Sequence, residues 1–305
     1  MKRILLPLAL LLPLCIASCG EKATPVAQLE VTPKKVRLPY PELHTVHLTW
    51  QPSMPLEGFS GTPTVFVHLL DKDRKVVRTF DHPYPGRWRQ GEPVSYDLKL
   101  YQSTMAPPLA GGSYSLTLGL AGEGKQRWAV DGMGEPVARM EYLAAEVEVP
   151  APAKNKKSGP RFTFSEQWLS PEPGADKQLI ARRWLTGPGG LRVAGLRQPG
   201  SIWLVLRIPE PKVAGNLKVN DGGGVPAVRI EGSCGDYEAS ISGPGVHEVE
   251  MPVADPPKNG QCRLTLTPNF QFGTGGPRSV SLENASWSPW EGGRPKSAPA
   301  SPTAP

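Results

Sequence analysis

Carboxylates, five histidines, four cysteines and eight tryptophans are the side chains of this chain that could do chemistry. Their spacing decides what each set can do. His44, His47, His68 and His82 lie in one stretch with Asp71, Asp73 and Asp81 nearby, the raw material of a metal or acid–base site. On a strand, however, His44 and His47 are an odd number of positions apart and point to opposite faces, which spoils them as a chelating pair. His68 falls in a run that is apolar on both faces, so its expected role is a hydrogen bond to a neighbour such as Asp81, fixing the path of the next strand. No metal and no cofactor is expected.

Gly119-Leu120-Ala121-Gly122-Glu123-Gly124-Lys125 has the spacing of a phosphate-binding loop, but Gln126 stands where that loop needs a hydroxyl for magnesium. The following Arg127-Trp128-Ala129-Val130 reads as strand, with no helix N-terminus to face a phosphate. A hairpin turn explains the glycines. Nucleophile elbows, H-E-x-x-H helices and a reactive cysteine with a histidine partner are all missing. Glu172, Asp176, Glu231 and Asp236 could in principle supply a glycosidase pair, since such a pair is spatial; scattered surface carboxylates are the expectation, and no catalytic residue is assigned.

The tryptophans are more informative. Trp168, Trp184, Trp203, Trp287 and Trp290 all fall in the second half. A pyranose stacks its C–H face on a flat ring while its hydroxyls pair with charged side chains. Trp168, Glu172, Arg183 and Trp184, with Arg182 beside them, form the candidate ligand-binding set. Core packing accounts for the same rings without a ligand and is the expectation for most of them.

The elements that must position these residues are strands. Gly (33) and Pro (36) exceed a fifth of the 305 residues and punctuate short alternating apolar runs, leaving room for at most a few helical turns at Ala175 to Thr186 and Val137 to Val149. Strands are expected at Leu43–Trp50, Thr64–Leu70, Lys75–Phe80, Val94–Tyr101, Ser113–Leu120, Gln126–Val130 and Tyr142–Val149, then at Ser201–Ile208 and Gln261–Thr267, with Ile202, Leu204, Leu206, Ile208, Cys262, Leu264 and Leu266 inward. The fold class is therefore all-β: two tandem β-sandwiches, the first immunoglobulin-like, the second a sandwich or jelly roll. The expected boundaries are a leader over 1–18, a tether over 19–27, sandwiches over 28–150 and 161–289 joined by a Pro/Lys/Ala-rich linker over 151–160, and a disordered tail over 290–305.

The leader has its own chemistry. Met1-Lys2-Arg3 is basic, Ile4 to Ile16 is aliphatic but too short to span a bilayer, and Ala17-Ser18-Cys19-Gly20 ends it with small residues at a cysteine. This resembles the bacterial lipoprotein signal. The resemblance implies removal of 1–18 and acylation of Cys19, which would anchor the chain to a membrane. Gly20 and Glu21 lack the aspartate that retains such proteins at the inner membrane, so in a two-membrane bacterium the outer membrane is expected. Cys15 leaves with the leader and Cys19 is acylated, leaving Cys234 and Cys262 as a disulfide in an exported protein, stabilising it by roughly 3 to 4 kcal/mol. Loss of Lys2 and Arg3 lowers the formal charge from +6 to +4. The basic residues are spread out apart from Lys154-Asn155-Lys156-Lys157, so no nucleic-acid partner is expected.

Thr64-Val65-Phe66-Val67-His68-Leu69-Leu70-Asp71, Asp81-His82-Pro83, Trp88-Arg89-Gln90-Gly91-Glu92 and the run Gly111 to Leu120 resemble the soluble β-sandwich modules appended to bacterial membrane glycosyltransferases and envelope proteins. Phe162-Thr163-Phe164, Trp168, Glu172, Arg182-Arg183-Trp184, Asn269-Phe270 and Ser279 to Leu282 resemble a second envelope-associated sandwich found beside sugar-handling enzymes. The implied function is a non-catalytic envelope lipoprotein that binds or assembles, with glycan or an envelope protein as partner. Two alternatives remain at this level: an envelope glycan hydrolase or transferase, and a structural lipoprotein that holds partner proteins through a strand edge.

Overall fold

The computed structural model describes residues 23–124, 126–151, 159–173, 181–210, 217–220, 224–273 and 276–290. The leader, Cys19, Asp176, Lys125, the Lys154–Lys157 run and almost all of the tail lie outside the described residues. Every regular element described is a strand, and no helix among the described residues is long and apolar enough to cross a membrane.

The first sandwich uses β1 (Ala27–Thr32), β2 (Lys35–Arg37), β3 (Leu43–Pro52), β4 (Thr64–Leu70), β5 (Val76–Thr79), β6 (His82–Pro83), β7 (Val94–Tyr101), β8 (Gly112–Ala121), β9 (Arg127–Trp128), β10 (Val130–Asp131) and β11 (Tyr142–Val149). One sheet runs β10-β1-β3-β7 and the other β2-β11-β8-β4-β5, with β6 on β4 and β9 on β8. The opening segment is broken at Pro33, so β1 pairs antiparallel with β3 while β2 crosses to pair parallel with β11. That split edge, with β3 and β7 in one sheet and β4, β8 and β11 in the other, is an immunoglobulin-like arrangement. Inward alternation fills the core: Val46, Leu48 and Trp50 from β3 face Val65, Val67 and Leu69 from β4 and Leu116, Leu118 and Leu120 from β8.

The second sandwich uses β12 (Arg161–Phe164), β13 (Glu172–Pro173), β14 (Ala181–Trp184), β15 (Gly189–Ala194), β16 (Gly200–Ile208), β17 (Lys218–Val219), β18 (Ala227–Gly232), β19 (Tyr237–Ser242), β20 (Gly245–Val253), β21 (Gln261–Pro268), β22 (Phe270–Gln271) and β23 (Ser281–Pro289). Its sheets run β12-β15-β21-β18-β19 and β13-β14-β23-β16-β20, with β17 and β22 as a separate pair. Without the short β12, β13, β17 and β22, the remaining eight strands fall in the orders first-eighth-third-sixth and second-seventh-fourth-fifth. Two interlocked Greek keys of this kind make a jelly roll. Cys234, in the turn after β18, is bonded to Cys262 at the start of β21, Cα atoms 5.6 Å apart.

The two sandwiches are fastened to each other. Strand β16 is buried on both sides: Ile202, Leu204 and Leu206 enter its own core, while Trp203 and Val205 meet Leu43 and Tyr101 of the first sandwich. A bulge in β23 lets Val205 and Leu206 face Asn284 and Leu282, leaving Glu283 as the extra residue. There the Ser103 hydroxyl donates to the Glu283 carbonyl at 3.2 Å, the Thr104 N–H donates to Asn284 Oδ1 at 3.3 Å, and the Ala285 N–H donates to Thr104 Oγ1 at 3.2 Å. Met105, from the loop after β7, is buried within the second core. The Trp287 N–H also donates to Pro41 O at 3.1 Å.

Candidate functional site

The candidate set, with Trp168 ahead of β13, Glu172 on β13 and Arg183 and Trp184 on β14, does not form one open surface. Register places Glu172 opposite Arg182. The Glu172 carboxylate accepts the Trp184 indole N–H, and it takes Arg182 Nε at 3.4 Å and Arg278 Nη1 at 3.3 Å. The guanidinium groups of Arg182 and Arg278 lie 4.7 and 5.6 Å from the Trp184 ring, and Phe272 meets it edge-on. At 5% exposure, Trp184 offers a pyranose no free face. Trp168, also 5% exposed, donates its indole N–H to Gly190 O at 3.1 Å and packs on Phe164. Arg183 stacks on that same Phe164 ring and donates to Leu169 O; burial lowers the pKa of its guanidinium. Of the other carboxylates, Glu231 pairs with Arg229 at 3.0 Å and Asp236 sits exposed in the β18–β19 turn.

The histidines of the first sandwich are dispersed. His44 lies 3.6 Å from Glu42, and His47 Nδ1 lies 2.8 Å from Asp97. His68 takes Glu141 as its direct partner at 3.1 Å; Asp81 stands 3.8 Å away and instead accepts the Val67 N–H at 2.8 Å. The expected His68–Asp81 hydrogen bond is therefore corrected to Glu141, a residue 73 positions along that sequence spacing could not connect to it. Glu141 also accepts the Thr117 hydroxyl at 2.6 Å and has Arg127 at 3.7 Å. Its carboxyl is held below the usual range, first by the His68 hydrogen bond, working against burial. The glycines after β8 form a hairpin into β9, closed by Gly122 N–H to Gln126 O at 3.1 Å. Among the described residues no three His, Cys, Asp or Glu side chains converge as a metal set.

A different place has the shape of a site: a cleft of about 700 Å³ between the two sandwiches. Its floor is the outer face of β16 and β20, with Trp203, Arg207 and Glu248. Its wall is the edge of the first sandwich, with Phe80, His82, Tyr96 and Tyr101. Phe80 and Trp203 each meet Tyr101 edge-on, at centroid distances of 5.4 and 5.2 Å. Lys99 reaches from β7 to pair with Glu248 and lies 5.0 Å over the Trp203 ring. Arg207 Nη2 donates to Glu283 at 3.3 Å. His82 Nδ1 contacts the Phe80 carbonyl at 2.8 Å, an atom that can only accept, so the neutral ring presents Nε2 to the Tyr96 hydroxyl, which donates at 2.7 Å. Burial pushes the His82 imidazole down and the Tyr96 and Tyr101 phenols up, so all three are neutral at pH 7.

Sequence reasoning passed over this cleft, yet a signal was present. Ser201–Ile208 carries Trp203 and Val205 in the register opposite to its core residues, so the strand needs cover on both faces.

No family model matches the chain, and no curated protein matches it. Among solved structures it is similar to a mutant of Salmonella alpha-2-macroglobulin at 14% identity, covering 88% of this chain and 15% of that one, with a TM-score of 0.22. A Bacteroides uniformis β-glucuronidase is matched at 9% identity, with 85% of this chain and 30% of that one covered, TM-score 0.22. A chaperone–tip adhesin complex of CFA/I fimbriae is matched at 9% identity, with 83% and 77% covered, TM-score 0.22. The chain spans less than a third of the length of the first two, 15% and 30%. At these TM-scores none of the three carries an argument about fold or function.

Proposed function

We propose that this chain is a non-catalytic binding or assembly module of the bacterial cell envelope, held to a membrane by acyl groups on Cys19, whose partner enters the cleft between the two sandwiches. The cleft carries this reading: it combines partly exposed aromatic rings with charged groups on two bodies whose relative position is fixed by hydrogen bonds and the buried Met105. The carboxylates lining it already have partners: His47 for Asp97, Lys99 for Glu248, Arg207 for Glu283 and the Val67 N–H for Asp81. That favours recognition over proton transfer. A glycan version built on Trp184 loses its motive, because the ring is already covered. The outer membrane is the proposed location in a two-membrane cell, from the Gly20-Glu21 pair after the cysteine.

The test is capture of partners from detergent-solubilised envelope by the lipidated protein. Val246, 49% exposed at the cleft, is changed to arginine to obstruct it without touching a core. Loss of captured partners in Val246→Arg, with the unfolding midpoint unchanged, is expected. Equal capture by the variant would sink the reading.

A further inference from the structure

The cleft has a backbone feature as well as side chains. Strand β7 ends its sheet: it pairs with β3 along eight positions, and no strand among the described residues pairs with its other edge. Residues Tyr96 to Lys99 of this strand line the cleft. An unpaired edge presents a row of N–H and C=O groups able to accept another strand. The other long edge at the cleft, β20, is blunted by Pro252, which has no N–H, and by Glu248 and Glu250. Strand β7 contains no proline and only one residue of each charge, Asp97 and Lys99.

Charge then selects the occupant. The lining holds four carboxylates, Asp81, Asp97, Glu248 and Glu283, against two cations, Lys99 and Arg207. With His82 neutral, the balance is two negative charges. Side chains alternate along β7, with Asp97 and Lys99 outward and Tyr96 and Leu98 toward the core side. A strand laid beside it would place one row of side chains next to Asp97 and Lys99, the lysine already paired with Glu248, and the other row next to Tyr96 and Leu98.

We propose that the cleft takes an extended polypeptide segment of alternating basic and apolar residues, added as a strand to the open edge of β7. This rests on the cleft being the binding site and names the class of its occupant. Main-chain hydrogen bonds would supply the affinity, and the carboxylates and aromatic rings the choice of sequence.

The experiment uses the full lipidated chain in detergent and synthetic peptides as long as β7: alternating Lys and Val, alternating Glu and Val, and two Lys–Val versions N-methylated on alternate amides, one for each edge. A neutral oligosaccharide is the further probe. Expected results are binding of the Lys–Val peptide, slowed amide hydrogen exchange within Val94–Tyr101, and loss of binding for one N-methylated version only. The double variant Asp97→Asn/Glu248→Gln, at two exposed carboxylates, should bind the peptide roughly three- to tenfold more weakly. Equal binding of both N-methylated versions, equal binding of the Glu–Val peptide, or occupation by the oligosaccharide instead would each overturn strand addition. If no peptide binds while Val246→Arg still loses its captured partners, strand addition falls and the cleft reading stands. If Val246→Arg keeps those partners, the cleft reading itself falls.

Discussion

Glu172 collects an indole N–H and two guanidinium groups, and that convergence turns an apparent ligand site into a structural one. Removing its charge leaves Arg182 and Arg278 against the same ring without a counter-ion. Glu172→Gln should therefore lower stability by about 1 to 3 kcal/mol in urea unfolding, and Trp184→Ala by about 3 to 5 kcal/mol. The sequence showed the right residues together but not that they satisfy one another, because a stacking platform and a packed cation–aromatic cluster share one composition. Titration gives a second prediction. The folded pKa of His82 is depressed by burial and that of Glu141 by its His68 hydrogen bond, so in each case the native state binds fewer protons than the unfolded chain. Stability should be full above pH 6.5, decline below it as His82 is forced to protonate, and decline further as pH falls below 4.5 through the folded value of Glu141. Unfolding midpoints measured across this range should show both losses, and Glu141→Gln should erase the second.

At the scale of elements, alternation revealed most strands of the first half. β4, β7 and β11 lie where the apolar rhythm sets them. It did not reveal β1 and β2, where Pro33 breaks one segment between two sheets, nor β19, whose Tyr237, Ala239 and Ile241 are only partly buried on an edge. The jelly-roll order was invisible for a different reason: strand pairing between distant segments leaves no local pattern. The bulge at Glu283 belongs here too. Asn284 is fully buried and ties Thr104 of one sandwich to Ser286 of the other. Asn284→Ala should cost about 1 to 3 kcal/mol and speed amide exchange at Thr104 and Met105, which mass-resolved exchange would detect. Cys262→Ser removes the crosslink between the β18 turn and β21 and should cost about 2 to 5 kcal/mol, read from unfolding with and without reductant.

For the whole molecule, the proposed membrane attachment can be tested directly. Cys19→Ala is expected to leave an unacylated precursor, and intact-mass measurement of the native protein should show acyl chains on residue 19 with 1–18 removed. The two halves should unfold together, since Trp203 and Val205 cluster with Leu43 and Tyr101 of the other half and Met105 lies in the core of its partner half. Trp203→Ala is expected to split a single thermal transition into two, a change calorimetry would register. Met105 has one more consequence. A gene fragment encoding only the second half would be born with a vacant notch and a greasy flank where its neighbour belongs, and such a truncated product should clump rather than stay dispersed.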